Sequence, residues 1–480
     1  MQSPDPAPLT AEDIRKIVIG VLAAMLLAAL DQNIVAPAIP DIRAALNDDV
    51  YFPWLVSGYF LTATAVTPLY GKLSDIYGRR PVLFTGIAIF VLGSVICALA
   101  QNMGVMIFGR CVQGIGGGGL IALAQTVIGD IVPPRERAGY VAYITTVWAI
   151  ASIAGPILGG GLSKYLHWSL IFWINLPIAA AAFLLTNASL RKLPRNRRDH
   201  SLDFLGAGLI VGSTVSLQLA LTWGGSRFGW NSIQILSLFA ASFIVAVLFA
   251  WRLLTAPEPL IPLQVIRNRV VAAATAGLFF AMGSFVAVAT YLPLYFQGAF
   301  GLDAGQSGLA MVVVLVATVV GANTTGRYMP RVTHYKRFAL AGCSVAALAL
   351  GLLALRAPHA GFAEALVLTG ITGLGIGPVF PITTVAVQNA VDPRDLGIAT
   401  SAAAFLRSLG STVGVAALGA VLLGYGVGGN AAAAASPTTA GLLNGFAGAF
   451  GAASAALLIS LGFISVMKEL PLRGKAAPID

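Results

Sequence analysis

The sequence predicts an all-α integral membrane protein with fourteen transmembrane helices, on three observations. Asp, Glu, Lys and Arg make up only 10% of the 480 residues, whereas hydrophobic residues make up 57%. Soluble proteins carry about 25% charged residues, so this chain has too few charges to cover a water-exposed surface. The mean hydropathy is +0.84. The third observation is a series of apolar segments, each long enough to cross a bilayer.

A membrane-spanning helix needs about 20 mostly apolar residues, because a rise of about 1.5 Å per residue must cross about 30 Å of hydrocarbon. Acidic Glu12 and Asp13 before the first segment, and Asp31 within it, favour a retained helix over a cleaved signal peptide. The predicted spans are residues 15–37, 51–70, 82–100, 104–129, 139–162, 168–188, 203–223, 233–252, 270–297, 304–325, 338–356, 362–389, 398–424 and 444–467.

Basic residues are distributed unevenly among the predicted loops. Of the 29 Lys and Arg residues, 23 lie on the side that holds both chain ends and four lie on the opposite side. Because Lys and Arg mark cytoplasmic loops, we expect both termini in the cytoplasm. The expected setting is a bacterial-type plasma (inner) membrane. This topology signal explains the net charge of +10, so no nucleic-acid partner is expected.

The two halves of the chain repeat a pattern. Span 4 is rich in glycine and precedes Pro134-Arg135, and span 12 is rich in glycine and precedes Pro393-Arg394. Duplicated bundles around a midplane site are typical of alternating-access transporters. The predicted organisation is a cytoplasmic tail (1–14), a six-helix bundle (15–188), two inserted linker helices (203–252), a second six-helix bundle (270–467) and a cytoplasmic tail (468–480).

The loop between spans 2 and 3 carries the sharpest motif, formed by Gly71, Asp75, Gly78, Arg79 and Arg80. Glycines allow a tight turn, and a carboxylate beside guanidinium groups can lock two bundles in one packing. The loop resembles the signature loop of the major facilitator superfamily. That resemblance implies that Asp130 completes a charge cluster with Asp75 and Arg79. The equivalent turn of the second half, residues 326–330, has proline in place of the acid, so we expect the full latch in one half only.

Span 5 carries a second motif, formed by Gly155, Pro156, Gly159 and Gly160. Gly-Pro permits a bend and removes bulk, so a partner helix can approach closely. The segment is similar to the antiporter motif of proton-driven exporters of this superfamily, although Ala151 replaces its first glycine. The alternative interpretation is a generic packing face of small residues.

Further segments are similar to the 14-helix drug:proton antiporter family, and together they cover nearly the whole chain: 30–40, 54–61, 110–114, 168–177 and 291–297. The resemblance implies the major facilitator fold, two six-helix bundles plus two inserted helices. Departures from the family pattern are Asn33, Ala36 and Ser169-Leu170. These departures affect the identity of the substrate and leave the expected fold unchanged.

Asp31 is the one carboxylate predicted to lie well inside a span, where an ionisable group indicates function. Helix rise places Arg110 within a few Å of the same depth, and Gln113 shares the helix face of Arg110. If spans 1 and 4 adjoin, as the resemblance implies, Asp31 and Arg110 can pair. Burial favours the protonated acid and Arg110 favours the carboxylate, so we expect these three residues to couple protons to transport. The alternative is a purely structural pair.

The sequence also offers candidates for residues that line a substrate cavity, although no motif identifies them. Three aromatic residues offer faces to a flat lipophilic cation, and the others are polar positions within spans. Arg407 could contact an anionic group or bond backbone carbonyls. The candidates are Asn33, Trp54, Tyr59, Asn175, Tyr291, Asn323, Gln388 and Arg407.

These observations favour a proton-coupled antiporter that exports lipophilic drugs or toxic metabolites by alternating access and functions as a monomer. Its expected partners are a small lipophilic substrate, protons and the lipid bilayer. A lipid or nutrient carrier of the same fold is the alternative. An enzyme, a metal site or a cofactor is not expected, because all four histidines lie in loops and the three cysteines show no paired spacing.

Overall fold

A computed structural model describes residues 10–48, 51–187, 190, 202–427 and 439–472. We number the longer helices in chain order. They are α1 Ala11–Ile34, α2 Trp54–Tyr77, α3 Arg79–Ala98, α4 Met103–Ile131, α5 Pro134–Tyr165, α6 Asn175–Asn187, α7 Phe204–Trp223, α8 Ile233–Thr255, α9 Arg269–Phe300, α10 Ala304–Tyr328, α11 Lys336–Arg356, α12 Phe362–Ile376 continued by Val379–Ala390, α13 Leu396–Gly424 and α14 Thr439–Val466.

Thirteen helical segments of the described chain are both long and apolar enough to cross a membrane. Helix α2 is the fourteenth: its 24 residues are long enough to cross, but its mean hydropathy falls below that of the other thirteen segments. Its hydroxyl groups bond to α4, as where Thr67 Oγ1 donates to the carbonyl of Gly118 at 3.0 Å. The predicted all-α fold with fourteen spans is therefore confirmed.

Several helices extend past the predicted spans, because hydropathy reports only the part of a helix that lies in lipid. Helix α5 begins at Pro134 and α14 at Thr439, each five residues before the predicted start. The predicted sixth span contains two pieces, Leu170–Trp173 and α6. Residues 1–9, 188–189, 191–201 and 473–480 lie outside the described residues, and with them most of both predicted tails and the linker before α7.

The same packing pattern occurs in both halves. Helix α4 packs between α2 and α3, and α12 packs between α10 and α11. Glycine allows these contacts: a Cβ at Gly118 would lie 2.1 Å from the carbonyl oxygen of Ala63, and one at Gly377 would lie 2.4 Å from that of Thr318. Helix α1 packs on α5 and α6, as α9 packs on α13 and α14. Helices α7 and α8 pack on each other, and α7 also contacts α2 and α13.

Candidate functional site

A large cavity lies between the two halves, with a volume of about 1300 Å³. Its lining reaches the side of the bundle opposite the chain ends, at Gly305 near the start of α10 and at Val427 after α13. On the other side, which we call the terminal side because α1 begins and α14 ends there, the halves meet directly. The structure is therefore open to the opposite side and closed at the terminal side.

The lining is mostly apolar and aromatic, with scattered hydroxyl and amide groups. Arg407 of α13 is the only charged residue in it, and no Asp, Glu or Lys is present among the described lining residues. Arg407 is 8% exposed. Its guanidinium carbon lies 5.2 Å from the ring centroid of Phe380, and among the described residues the group makes neither an ion pair nor a hydrogen bond.

Three of the eight candidate cavity residues line the cavity: Asn33, Tyr291 and Arg407. Trp54 instead packs edge-on against Trp223 of α7, with ring centroids 5.9 Å apart. The rotation of α2 about its axis decides this placement, and sequence spacing does not reveal that rotation.

Two further candidates bridge the halves and do not line the cavity. Asn323 Nδ2 donates to Thr146 Oγ1 at 3.1 Å, which joins α10 to α5. Gln388 Nε2 donates to the carbonyl of Gln125 at 3.1 Å, which joins α12 to α4 near the terminal side. Both amides therefore hold the present packing of the halves. The remaining two candidates, Tyr59 and Asn175, lie beside Asp31.

Asp31 accepts three hydrogen bonds in the interior of the first half. Arg110 Nη1 lies 2.5 Å from Asp31 Oδ2. Gln113 Nε2 and Asn175 Nδ2 lie 3.0 Å and 3.1 Å from Asp31 Oδ1. Ser94 Oγ accepts from both amides, at 2.7 Å and 3.2 Å. The structure thus brings together the carboxylate, its guanidinium partner and two amides that hold the carboxylate in place.

Arg110 is held from other directions as well. Its Nε donates to the carbonyl of Leu55 at 2.8 Å, and its guanidinium carbon lies 4.6 Å from the ring centroid of Tyr59. Arg110 is 1% exposed and Asp31 is 0% exposed. A buried pair of this kind is costly to break by removing one partner, because the other charge is left uncompensated.

The ion pair lies behind the cavity wall. Gln32 and Asn33, which follow Asp31, line the cavity. The Tyr59 hydroxyl abuts Gly117 of the wall, where an added Cβ would lie 2.2 Å from it. In this conformation Asp31 is therefore sealed from the cavity, with Tyr59 between the ion pair and the wall.

The glycines of the span 5 motif allow α5 to approach α1 beside Asp31. A Cβ at Gly155 would lie 2.6 Å from the nearest side-chain atom of α1, and a Cβ at Gly159 would lie 2.1 Å from the carbonyl oxygen of Ile34. Pro156 lines the cavity, and the nearest neighbour of a Cβ at Gly160 is 3.9 Å away. The motif therefore sets the distance between α5 and the segment that follows Asp31.

The loop between α2 and α3 connects the halves at the terminal side. Arg79 Nε donates to Asp130 Oδ2 at 2.7 Å, and Arg79 Nη1 pairs with the Asp75 carboxylate. Asp75 Oδ2 in turn accepts the backbone N–H of Ile398 at 2.9 Å, in the first turn of α13. A carboxylate at a helix N-terminus is favourable, because the free N–H groups there carry partial positive charge. The three predicted charges thus lie together and contact the second half.

The other members of this loop have separate roles. Gly78 has φ +91°, a conformation that favours glycine, and it forms the turn. A Cβ at Gly71 would lie 2.6 Å from the side chain of Ser401, so this glycine allows α2 to contact α13. Arg80 lies outside the charge cluster and donates to Asn187 Oδ1 at 2.6 Å.

The equivalent turn of the second half makes a different contact. Arg135 Nε donates to the carbonyl of Pro330 at 2.9 Å, and a Cβ at Gly326 would lie 2.7 Å from the carbonyl oxygen of Ala138. Backbone contact therefore replaces the charge cluster here. The absence of an acid in residues 326–330 is consistent with this arrangement.

Sequence reasoning missed several residues of the site. Ser94, which accepts hydrogen bonds from two amides, is a small hydroxyl residue in an apolar span, and nothing in the sequence distinguishes it as part of the site. Gln218 and Trp230, from α7 and the loop after it, line the cavity. Gln218 could have been detected, because it is the one amide side chain of α7 and polar groups in spans rarely face lipid.

The fold and the site define a multi-pass membrane transporter with two helical halves around a central cavity. A family model described as the Major Facilitator Superfamily matches residues 21–415. The chain belongs to this superfamily, which confirms the resemblance drawn from its motifs.

Related proteins agree with this assignment. The chain is 34% identical over 409 residues to Multidrug resistance protein 3 of Bacillus subtilis, covering 84% of this chain and 79% of that protein. It is 35% identical over 408 residues to Efflux pump dotC of Dothistroma septosporum, covering 84% and 70%. The solved structure of the proton:xylose symporter XylE superposes with a TM-score of 0.68 at 13% identity, covering 96% of this chain and 97% of that chain. This last likeness shows the fold alone.

Proposed function

We propose that this protein exports lipophilic small molecules, such as drugs or toxic metabolites, in exchange for protons by alternating access. Two relatives of about 35% identity are named as a multidrug resistance protein and an efflux pump. The observation that carries proton coupling is the buried Asp31 carboxylate, paired with Arg110 behind the wall of the central cavity. Burying an ionisable pair at such depth costs free energy, which favours a functional role for the pair.

Proton binding at Asp31 removes the charge that Arg110 neutralises and weakens their attraction. The close contact of Gly155 and Gly159 with α1 then couples any shift of the Asp31 segment to α5, which lines the cavity. Movement of Tyr59 away from Gly117 is the route by which water reaches the pair from the cavity. Proton entry from the open side, once Tyr59 has moved, and proton release in the opposite conformation complete the exchange.

The charge cluster of Asp75, Arg79 and Asp130 acts as the latch of the closed terminal side. It stabilises this state through the first turn of α13 and must open when the halves rock apart. We place the terminal side in the cytoplasm because the predicted loops there hold 23 of the 29 basic residues. The present conformation then faces outward.

The domain division and the setting are also part of the proposal. Residues 15–188 and 270–467 form the two moving bundles, and residues 203–252 form an inserted pair beside α2 and α13. We propose a bacterial-type plasma membrane and a functional monomer, since one chain contains the cavity, the ion pair and the latch. The relatives come from a bacterium and a fungus, so relationship by itself names no particular membrane.

The test is transport by the full chain in proteoliposomes with an imposed pH gradient. Probes are cationic ethidium, neutral phenylnaphthylamine and anionic anilinonaphthalenesulfonate, and an internal pH dye reports proton movement. We expect Asp31→Asn to lose gradient-driven transport while still exchanging probe across the membrane without a gradient. Asp303→Asn is the matched control, because Asp303 is an exposed cap of α10 and asparagine also caps helices.

Gradient-driven transport that persists in Asp31→Asn would exclude this residue as the coupling group. The direction of flux is a second readout. Movement of probe down the proton gradient with the protons, as in uptake, would indicate the alternative lipid or nutrient carrier.

A further inference from the structure

The unpaired Arg407 points to the chemical class of the substrate. Arginine stays protonated in proteins, so its side chain brings a permanent positive charge to the cavity. Burying a charge without a partner is costly unless water or an opposite charge compensates it. Every other basic residue that the described structure buries below 9% exposure hydrogen-bonds to acids or backbone carbonyls, as Arg110 and Arg137 do. Compensation for Arg407 must therefore come from the cavity or from the small space behind it.

A ligand can approach Arg407 only from the large cavity. Behind it lies a second space of about 10 Å³, bordered by Gln125, Thr384 and Thr400. Such a space holds about one water molecule and is too small for an organic group. A ligand that compensates Arg407 must therefore occupy the large cavity.

The rest of the lining carries polar but uncharged side chains. Gln218 and Trp230 line the cavity, although their Nε2 and Nε1 atoms are themselves buried and have no hydrogen-bond partner among the described residues. No acidic residue is present in the described lining to attract a cation. A cationic substrate would meet only repulsion from Arg407, whereas an anion gains a charge-assisted hydrogen bond.

We propose that Arg407 binds the anionic group of the transported substrate, and that the substrates are lipophilic molecules with one carboxylate or sulfonate. The inference rests on the proposed export function, to which it adds the substrate class. The apolar lining, including Phe380 under the guanidinium, takes the hydrophobic body of the molecule. The planar guanidinium suits two-point contact with a carboxylate or sulfonate.

The experiment compares two probes that differ only in charge. Anilinonaphthalenesulfonate and phenylnaphthylamine share the same rings, and only the first carries a sulfonate. Binding is measured on the full chain in lipid nanodiscs, with binding to empty nanodiscs subtracted. We expect Arg407→Gln to weaken binding of the anion about tenfold or more, since hydrogen bonds to charged groups are strong, and to leave the neutral probe within about twofold. Arg267→Gln, which removes an exposed arginine outside the cavity, should change neither.

Equal weakening of both probes in Arg407→Gln, or unchanged binding of the anion, would overturn the proposal. If Arg407→Gln fails to fold, binding by the wild-type protein still tests the proposal. The wild type must bind the anion at least about tenfold more tightly than the neutral probe, and a smaller difference would contradict the anion site. Arg407→Lys provides a further check, since it keeps the positive charge but loses the planar guanidinium. This variant should retain part of the preference for the anionic probe over the neutral one.

The same probes separate this inference from the export proposal. Binding of the anion that depends on Arg407, without gradient-driven transport of any probe, supports the anion site and refutes proton-coupled export. Gradient-driven transport that is indifferent to Arg407→Gln supports export and refutes the anion site.

Discussion

Substitution of Gly159 by alanine tests the contact between α5 and α1 at the Asp31 segment. The new Cβ would lie 2.1 Å from the carbonyl oxygen of Ile34, an atom of the backbone that cannot rotate away. Two neighbours on the same helix provide controls. The nearest atom to a Cβ is 3.9 Å away at Gly160, and none lies within 4 Å at Gly161.

The expected magnitude follows from these distances. Ordinary contacts of a Cβ begin at about 3.4 Å, so Gly159→Ala forces α5 and α1 apart by about 1 Å, and overpacking of this kind costs about 1–3 kcal/mol. Alanine is a better helix former than glycine by up to about 1 kcal/mol, so Gly161→Ala should be neutral or stabilising. Gly160→Ala should behave as Gly161→Ala does.

The assay is the free energy of unfolding in detergent micelles, measured by denaturant titration, together with gradient-driven transport. Gly159→Ala should unfold about 1–3 kcal/mol more easily than Gly161→Ala and should transport more slowly. Equal stability and equal transport of the two variants would refute the close contact and its part in coupling.

Two further predictions concern the latch and the membrane voltage. Asp75→Asn should favour opening of the terminal side about tenfold or more, because it removes a charged acceptor of hydrogen bonds. Labelling of Thr400→Cys by an impermeant maleimide from that side measures the opening, and unchanged labelling would contradict the latch. With one proton site, exchange of a proton for a monovalent anion moves two charges and gains about 4.6 kcal/mol per 100 mV, against about 2.3 for a neutral substrate and none for a cation. Transport rates in vesicles whose membrane voltage is set by valinomycin distinguish these cases. Anion transport that does not change with voltage would contradict exchange of one proton for one anion.

The placement of the functional side chains could be predicted only in part. Asp31 and Arg110 were identified because helix rise fixes depth along each span, and the structure joins them at 2.5 Å. Asn175 was expected in the cavity but binds Asp31, 144 positions away in the chain. Trp54 and Tyr59 were expected to face a substrate, and both pack against other side chains. The depth of a residue follows from its position along one helix. The direction in which its side chain points depends on how several helices rotate and pack against each other.

The sequence by itself determined the number of spans, the duplicated halves and the identity of the deep carboxylate. These are local properties of the sequence. Each crossing of the lipid requires about 20 apolar residues, and a charged residue within such a segment is rare because its burial in lipid is costly. Only the tertiary structure decided that Asp31 lies behind the cavity wall, that the latch contacts the first turn of α13, and that Arg407 is left unpaired in the cavity. Each of these depends on how helices distant in sequence pack together, and close glycine contacts within and between the halves set that packing.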